Sequence, residues 1–198
     1  MYARLSRAMS AVALFSSVFL TSAAQAAPDA VAGKAKAQQC MACHGESGVS
    51  PLPGVPHLAA QPALSIFYQL VQFKDQRRKG GGMESIATAL SEPDMRDIAA
   101  YFAGQQPPPP FKEGHADLIA RGQLLAQQQY CSSCHGARLQ GQKHVPRLAG
   151  QAADYMVLQL RNLRSGARAD MDGTMASAAR SLTDEDIEAV SAYARSLP

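Results

Sequence analysis

Cys40-Met41-Ala42-Cys43-His44 and Cys131-Ser132-Ser133-Cys134-His135 are the stretches on which the reading of this chain turns. Both spell Cys-x-x-Cys-His, the attachment pattern for c-type haem. The reason is geometric. Two thiols a helical turn apart can each form a thioether with one of the two vinyl groups of a single porphyrin. The adjacent His then comes round beneath the ring, where its imidazole ligates iron. The pattern predicts two covalently bound haem c groups, attached at Cys40 and Cys43 and at Cys131 and Cys134. His44 and His135 are the predicted iron ligands.

Other chemistries fit less well. Two structural disulfides would not need a His directly after each pair. Zinc taken from adjacent Cys and His in one five-residue motif is sterically awkward. A thiol redox motif would want a βαβ context.

The surroundings of the two motifs repeat as well. CMACHGESG at Cys40 to Gly48 is echoed by CSSCHGARL at Cys131 to Leu139, and Pro56-His57-Leu58-Ala59-Ala60-Gln61 by Pro146-Arg147-Leu148-Ala149-Gly150-Gln151. Tyr68-Gln69-Leu70 matches Leu158-Gln159-Leu160, and Tyr101 matches Tyr193, with the offset staying between 90 and 92 residues. Ordered matches at one offset predict a duplicated domain. The run Pro107 to Pro110 cannot continue a helix and favours an extended, semi-rigid spacer. It divides the chain into a first domain over residues 27–104, a linker over 105–111 and a second domain over 112–198.

The local signals are helical. Residues 61–74 and 151–164 carry apolar side chains at three- and four-residue steps. Ser91 and Thr183 are N-cap residues, each with an acidic residue three positions on, Asp94 and Asp186. The helices that follow place Met95, Ile98 and Phe102, and Ile187, Val190 and Ala194, on one face. Strand alternation is absent, so the expected fold is all-α, two tandem domains of short helices and long loops. The chain has no Trp and is only 6% aromatic; a bound cofactor would supply the missing bulk.

The sixth ligand decides between carrier and catalyst, because a Met opposite the His leaves no open position on the iron. Met83 and Met175 recur in the repeat. They follow their His by 39 and 40 residues, each seven residues before a matched Leu, Leu90 and Leu182. Both are expected in a Gly-containing loop. Met95 reads as core, and Met156 matches Ile66, which cannot ligate iron. Met171 is the rival to Met175 and lacks the repeat register. His57, His115 and His144 do not recur, and His57 reads as a surface or propionate-edge residue. The backbone carbonyls of Pro56 and Pro146 are candidates to hold the second nitrogen of each ligating His.

The N-terminus reads as an export signal. Arg4 and Arg7 precede the apolar run from Ala8 to Leu20, and Ala24-Gln25-Ala26 is a small-x-small cleavage site. Cleavage near Ala26 would place the mature protein in the periplasm. Loss of Arg4 and Arg7 would lower the formal net charge of +3 by two. No basic stripe suggests nucleic acid. No later stretch approaches the length of a membrane span, which leaves room for peripheral membrane association only.

On the paired motifs, the PRLAGQ segment, the Met ahead of the last helix and LTDEDIEAVSAYA at Leu182 to Ala194, the chain resembles the cytochrome c4 family. The resemblance covers nearly all of the mature sequence. It implies two cytochrome c domains related by pseudo-two-fold symmetry, with haems facing across the interface. His44 with Met83 and His135 with Met175 would be the axial pairs. Gly33 and Gly122 would let the first helix of each domain cross the last near Tyr101 and Tyr193. It also implies electron transfer between a respiratory donor, a membrane complex or periplasmic redox protein, and a terminal oxidase or other acceptor. Two departures stand out: Ala60 replaces the Gly of the family segment, and the loop Arg77 to Gly82 is shorter and more basic than its counterpart. They lead us to expect unequal haem potentials.

Two other function classes compete, a small haem enzyme and a dihaem subunit of a periplasmic dehydrogenase. The enzyme would require one iron to lose its Met. No acid/base cluster or spare Cys supports it, no small-molecule substrate is expected, and an electron carrier is the expected function.

Overall fold

The structure is a computed structural model that describes residues 27–111 and 116–198. The predicted signal over residues 1–26, its cleavage site and His115 lie outside the described residues. Ten helices are present among the described residues, five in each half. The first half holds α1 (Ala30–Lys36), α2 (Gln38–His44), α3 (Ala63–Lys74), α4 (Met83–Thr88) and α5 (Glu92–Ala103). The second holds α6 (Ala116–Gln128), α7 (Cys131–His135), α8 (Ala153–Ser165), α9 (Thr174–Arg180) and α10 (Asp184–Ser196). The one extended pairing among them is an isolated bridge between Gln142 and Val145. No helix of the described residues is long and apolar enough to cross a membrane.

The last helix of each half starts at a capping box. Ser91 Oγ accepts from Asp94 N and Thr183 Oγ1 from Asp186 N, while each Asp carboxylate accepts from the cap residue's own N–H. Two orphan donors are thereby satisfied at each helix start. The buried face of α5 carries Met95, Ile98 and Phe102, as the spacing predicts. In α10 the buried residues are Ile187, Ala189, Ser191 and Ala194, with Val190 half-buried. The face is rotated because small residues there meet another helix closely.

That helix is α6, and Gly122 makes the crossing. A Cβ on Gly122 would sit 2.0 Å from Ala189 O and 2.8 Å from Tyr193 Cβ. Gly33 on α1 is its counterpart: a Cβ there would sit 2.0 Å from Asp97 O and 3.1 Å from Tyr101 Cβ. Both values are far inside van der Waals contact, so no larger residue fits either crossing.

Among the described residues, helices pack closely only within their own half. The halves meet through loops and side chains instead. The linker, residues 105–111, packs on the second half. Pro108 is buried against Gly150, Phe111 N donates to Arg195 O at 3.2 Å, and the Arg195 guanidinium lies 3.8 Å over the Phe111 ring.

Candidate haem sites

Each Cys-x-x-Cys-His motif occupies its own short helix, α2 and α7, ended by a glycine. Gly45 (φ 79°) and Gly136 (φ 85°) take a backbone conformation that L side chains rarely adopt, and they turn the chain away directly after the His. His44 and His135 are 5% and 4% exposed. His44 Nδ1 lies 2.9 Å from Pro56 O and His135 Nδ1 lies 2.8 Å from Pro146 O. A carbonyl only accepts, so in each bond Nδ1 carries the proton and donates it. Burial holds both imidazoles below their ordinary pKa, against the opposing pull of the carbonyl bond. Each ring is therefore neutral, with the lone pair of Nε2 as its one remaining ligand atom. The prolyl carbonyls lie where the sequence places them.

The four thiols are not paired to one another. Cys40 and Cys131 are half-buried, and burial pushes both thiols up; Cys43 and Cys134 are exposed. Cys40 and Met83 pack against one apolar cluster built from Ile66, Phe67, Leu70, Met95 and Phe102. In the second half, Cys131 packs against Leu139, Ala149, Met156 and Ala194.

Met83 and Met175 are both half-buried. They do not lie in loops. Met83 opens α4 directly after Gly82, and Met175 is the second residue of α9 after Gly173; both glycines adopt φ 79°. A left-handed N-cap turns the loop into a helix one residue earlier than loop composition suggests. By helix bounds the two loops, residues 75–82 and 166–173, are equal in length, although Met83 follows Gln69 by 14 residues and Met175 follows Gln159 by 16. The two extra residues of the second half lie in helices, Ser165 at the end of α8 and Thr174 at the start of α9. Asp170 anchors this turn, accepting from Met175 N at 2.7 Å and Ala176 N at 3.3 Å. Met171 is 57% exposed, whereas Met95 (0%) and Met156 (6%) are core.

His144 is exposed, with its ring edge-on to Tyr68. His57 is half-buried: its Nδ1 accepts from Ser50 N at 2.9 Å, and its backbone is held by Gln151 of the other half. This inter-half clasp was not foreseen, although Gln61 and Gln151 recur in the repeat.

The donor set fits a covalently held haem on each side. Neutral buried imidazoles with a free Nε2, two unpaired thiols one turn away and a half-buried thioether suit such a group. A haem supplies a one-electron iron couple.

A family model described as cytochrome c matches residues 119–198, and one described as cytochrome C oxidase, cbb3-type, subunit III matches residues 26–102. The chain is 39% identical over 199 residues to cytochrome c4 of Pseudomonas aeruginosa, covering 94% of this chain and 97% of that one. It is 32% identical over 176 residues to a thiosulfate dehydrogenase electron acceptor of Thiomonas intermedia, covering 82% of this chain and 80% of that one. Among solved structures, reduced recombinant cytochrome c4 from Pseudomonas stutzeri aligns with TM-score 0.80 at 33% identity, covering 87% of this chain and all of that one.

Proposed function

Because this chain belongs to the cytochrome c4 family, we propose that it carries electrons in the periplasm from a respiratory donor to a terminal oxidase or other acceptor. It is a dihaem electron carrier, not an enzyme, with two cytochrome c domains in tandem and two covalently bound haem c groups. Residues 1–26 act as the export signal, cleaved near Ala26. Residues 27–104 and 112–198 form the two domains, joined by residues 105–111.

The observation that carries the site assignment is the pair of buried histidines locked to prolyl carbonyls beside unpaired cysteines. Cys40 and Cys43, and Cys131 and Cys134, tether the two haems. His44 and His135 ligate iron through Nε2, and the Pro56 and Pro146 carbonyls keep the proton at Nδ1. Met83 and Met175 would supply the second protein ligand to each iron, and a haem so held would support electron transfer without bond-making.

The test is a carbon monoxide difference spectrum of the reduced, haem-loaded protein at neutral pH. No binding is expected. Binding at one haem would mean an open site and would favour an enzyme. The likeness to a thiosulfate dehydrogenase electron acceptor supports one specific alternative, that the donor is a periplasmic sulfur-compound dehydrogenase. Stopped-flow reduction by such an enzyme separates the two donors.

A further inference from the structure

Met175 is the second residue of α9, and the N-cap of that helix, Gly173, has no side chain with which to cap it. The first three N–H groups of a helix have no acceptor within it. Here the preceding loop supplies two carboxylates. Asp172 Oδ1 accepts from Thr174 N at 3.0 Å, Asp170 Oδ2 from Met175 N at 2.7 Å, and Asp170 Oδ1 from Ala176 N at 3.3 Å. The next N–H, that of Ser177, reaches Gly173 O at 2.9 Å. Every backbone donor at this helix start is thereby satisfied.

The two carboxylates do different things. Asp172 is exposed and holds Thr174, whereas Asp170 is half-buried and brackets Met175. The N–H of Met175 belongs to the peptide unit before its Cα, and the N–H of Ala176 to the unit after it. Peptide units are planar and stiff, so one carboxylate pins both units that meet at the Met175 Cα. A methionine side chain turns about three bonds. Its sulfur keeps to one place only when the Cα from which it starts is fixed. The far end of the helix is tied separately: just beyond α9, Arg164 donates from Nη1 to Leu182 O at 2.8 Å and from Nη2 to Asp184 Oδ1 at 2.6 Å.

We propose that Asp170 is a positioning residue for Met175, and that its bracket, rather than the packing of α9 as a whole, sets how rarely the thioether leaves iron. The proposal rests on the reading of Met175 as a ligand. A thioether is a neutral, weak donor, so little besides its placement keeps it bound. An outside ligand such as imidazole binds only after the sulfur has gone, and at saturation its rate becomes the rate at which the bracket opens. The first half supplies an internal reference, because Met83 N donates to a backbone carbonyl, Gly80 O at 3.2 Å.

The experiment is stopped-flow binding of imidazole to the ferric holoprotein, with the Met–iron charge-transfer band recorded and haem counted per chain. It compares wild type with Asp170→Ala, Asp170→Asn, Arg164→Gln and Met175→Ala. Asp170→Ala removes two hydrogen bonds to a charged acceptor, and the limiting rate at one of the two haems is expected to rise by about tenfold or more. Asp170→Asn keeps one acceptor oxygen and is expected to fall between wild type and Asp170→Ala. Arg164→Gln is expected to lower the thermal midpoint and leave the limiting rate unchanged. An unchanged rate in a fully loaded Asp170→Ala overturns the proposal. So does an equal acceleration in Arg164→Gln, which would place the control in the packing of α9. Should Asp170→Ala fail to load, Asp170→Asn decides alone, and an unchanged rate there overturns the proposal. Met175→Ala tests the reading beneath it and is expected to lose the band of one haem. A band kept whole in Met175→Ala would overturn the ligand reading itself, whatever the Asp170 variants do.

Discussion

The side-chain amide of Gln61 clasps the backbone of Arg147 across the two halves: Nε2 donates to Arg147 O at 2.8 Å, and Oε1 accepts from Arg147 N at 2.9 Å. Gln151 returns the same clasp on His57, at 2.9 and 2.7 Å. Arg147 and His57 are one repeat position, and so are Gln61 and Gln151. The pseudo-two-fold relation is therefore written in four hydrogen bonds. Replacing Gln61 by Leu leaves a buried backbone N–H and C=O unpaired, a cost of about 1–3 kcal/mol for each such group. Denaturant unfolding of Gln61→Leu should show that loss. The Gln61→Leu, Gln151→Leu pair should lose more than either alone, and unchanged midpoints would deny the clasp its role.

Ala60 has φ 55°, and its counterpart Gly150 has φ 72°. Both donate their N–H to the last helix of their own half, Ala60 to Phe102 O at 3.0 Å and Gly150 to Ala194 O at 2.9 Å. The left-handed conformation costs a non-glycine residue about 1–2 kcal/mol, against about 0.5–1 kcal/mol for glycine's extra freedom when unfolded. Ala60→Gly is expected to stabilise the protein by up to about 1 kcal/mol, read as a higher denaturant midpoint at constant slope.

Glycine at the helix crossings has the opposite sign. Gly33→Ala and Gly122→Ala each drive a Cβ into a backbone carbonyl at 2.0 Å. Neither α5 nor α10 can yield without losing its own core. A loss of about 3 kcal/mol or more is expected for each, at or beyond the upper end of ordinary overpacking. The yield of haem-loaded protein and its thermal midpoint are the measurements, and a neutral effect at either position would contradict the crossing geometry.

These positions show what sequence can and cannot disclose. The motifs, the duplication, the capping boxes at Ser91 and Thr183 and the prolyl carbonyls were legible because each is set within a few residues of chain or by one repeat offset. Met83 and Met175 were placed in loops because glycine normally ends helices; here Gly82 and Gly173 begin them. The Gln61 clasp and the burial of Arg78 were not legible. A repeat reveals that two positions are equivalent, but not that each reaches across to the other half. Arg78 reads as part of a solvated basic run with Arg77 and Lys79, and only tertiary structure buries it.

The acid limb of stability should depend on Asp97. It accepts from Asp29 N at 2.8 Å and from Lys36 Nζ at 2.7 Å, tying α1 to α5. The Lys36 bond first, and then the Asp29 N–H, hold its carboxyl below the ordinary value. A depressed pKa means that the folded state binds its proton more weakly than the unfolded state. The stabilisation is therefore present above pH about 4, the unfolded value, and is lost as pH falls through the lower folded value. Asp97→Asn should be less stable at neutral pH and show a shallower decline below pH about 4. A parallel decline in both proteins would show that Asp97 does not carry this term.

Met171 and Met175 offer the sharpest division between ligand and bystander in the second half. Four residues separate them. Met171 is 57% exposed. Met175 is half-buried on the first turn of α9, with its N–H fixed by Asp170 at 2.7 Å. A thioether is a weak ligand that depends on being held in place, so pre-positioning matters more than donor strength. Met175→Ala should abolish the Met–iron charge-transfer band of one haem, lower that haem's potential and admit carbon monoxide to it. Met171→Ala should leave all three unchanged. The reverse pattern would move the ligand to Met171, and carbon monoxide binding that is the same in wild type and Met175→Ala would deny Met175 the role of ligand.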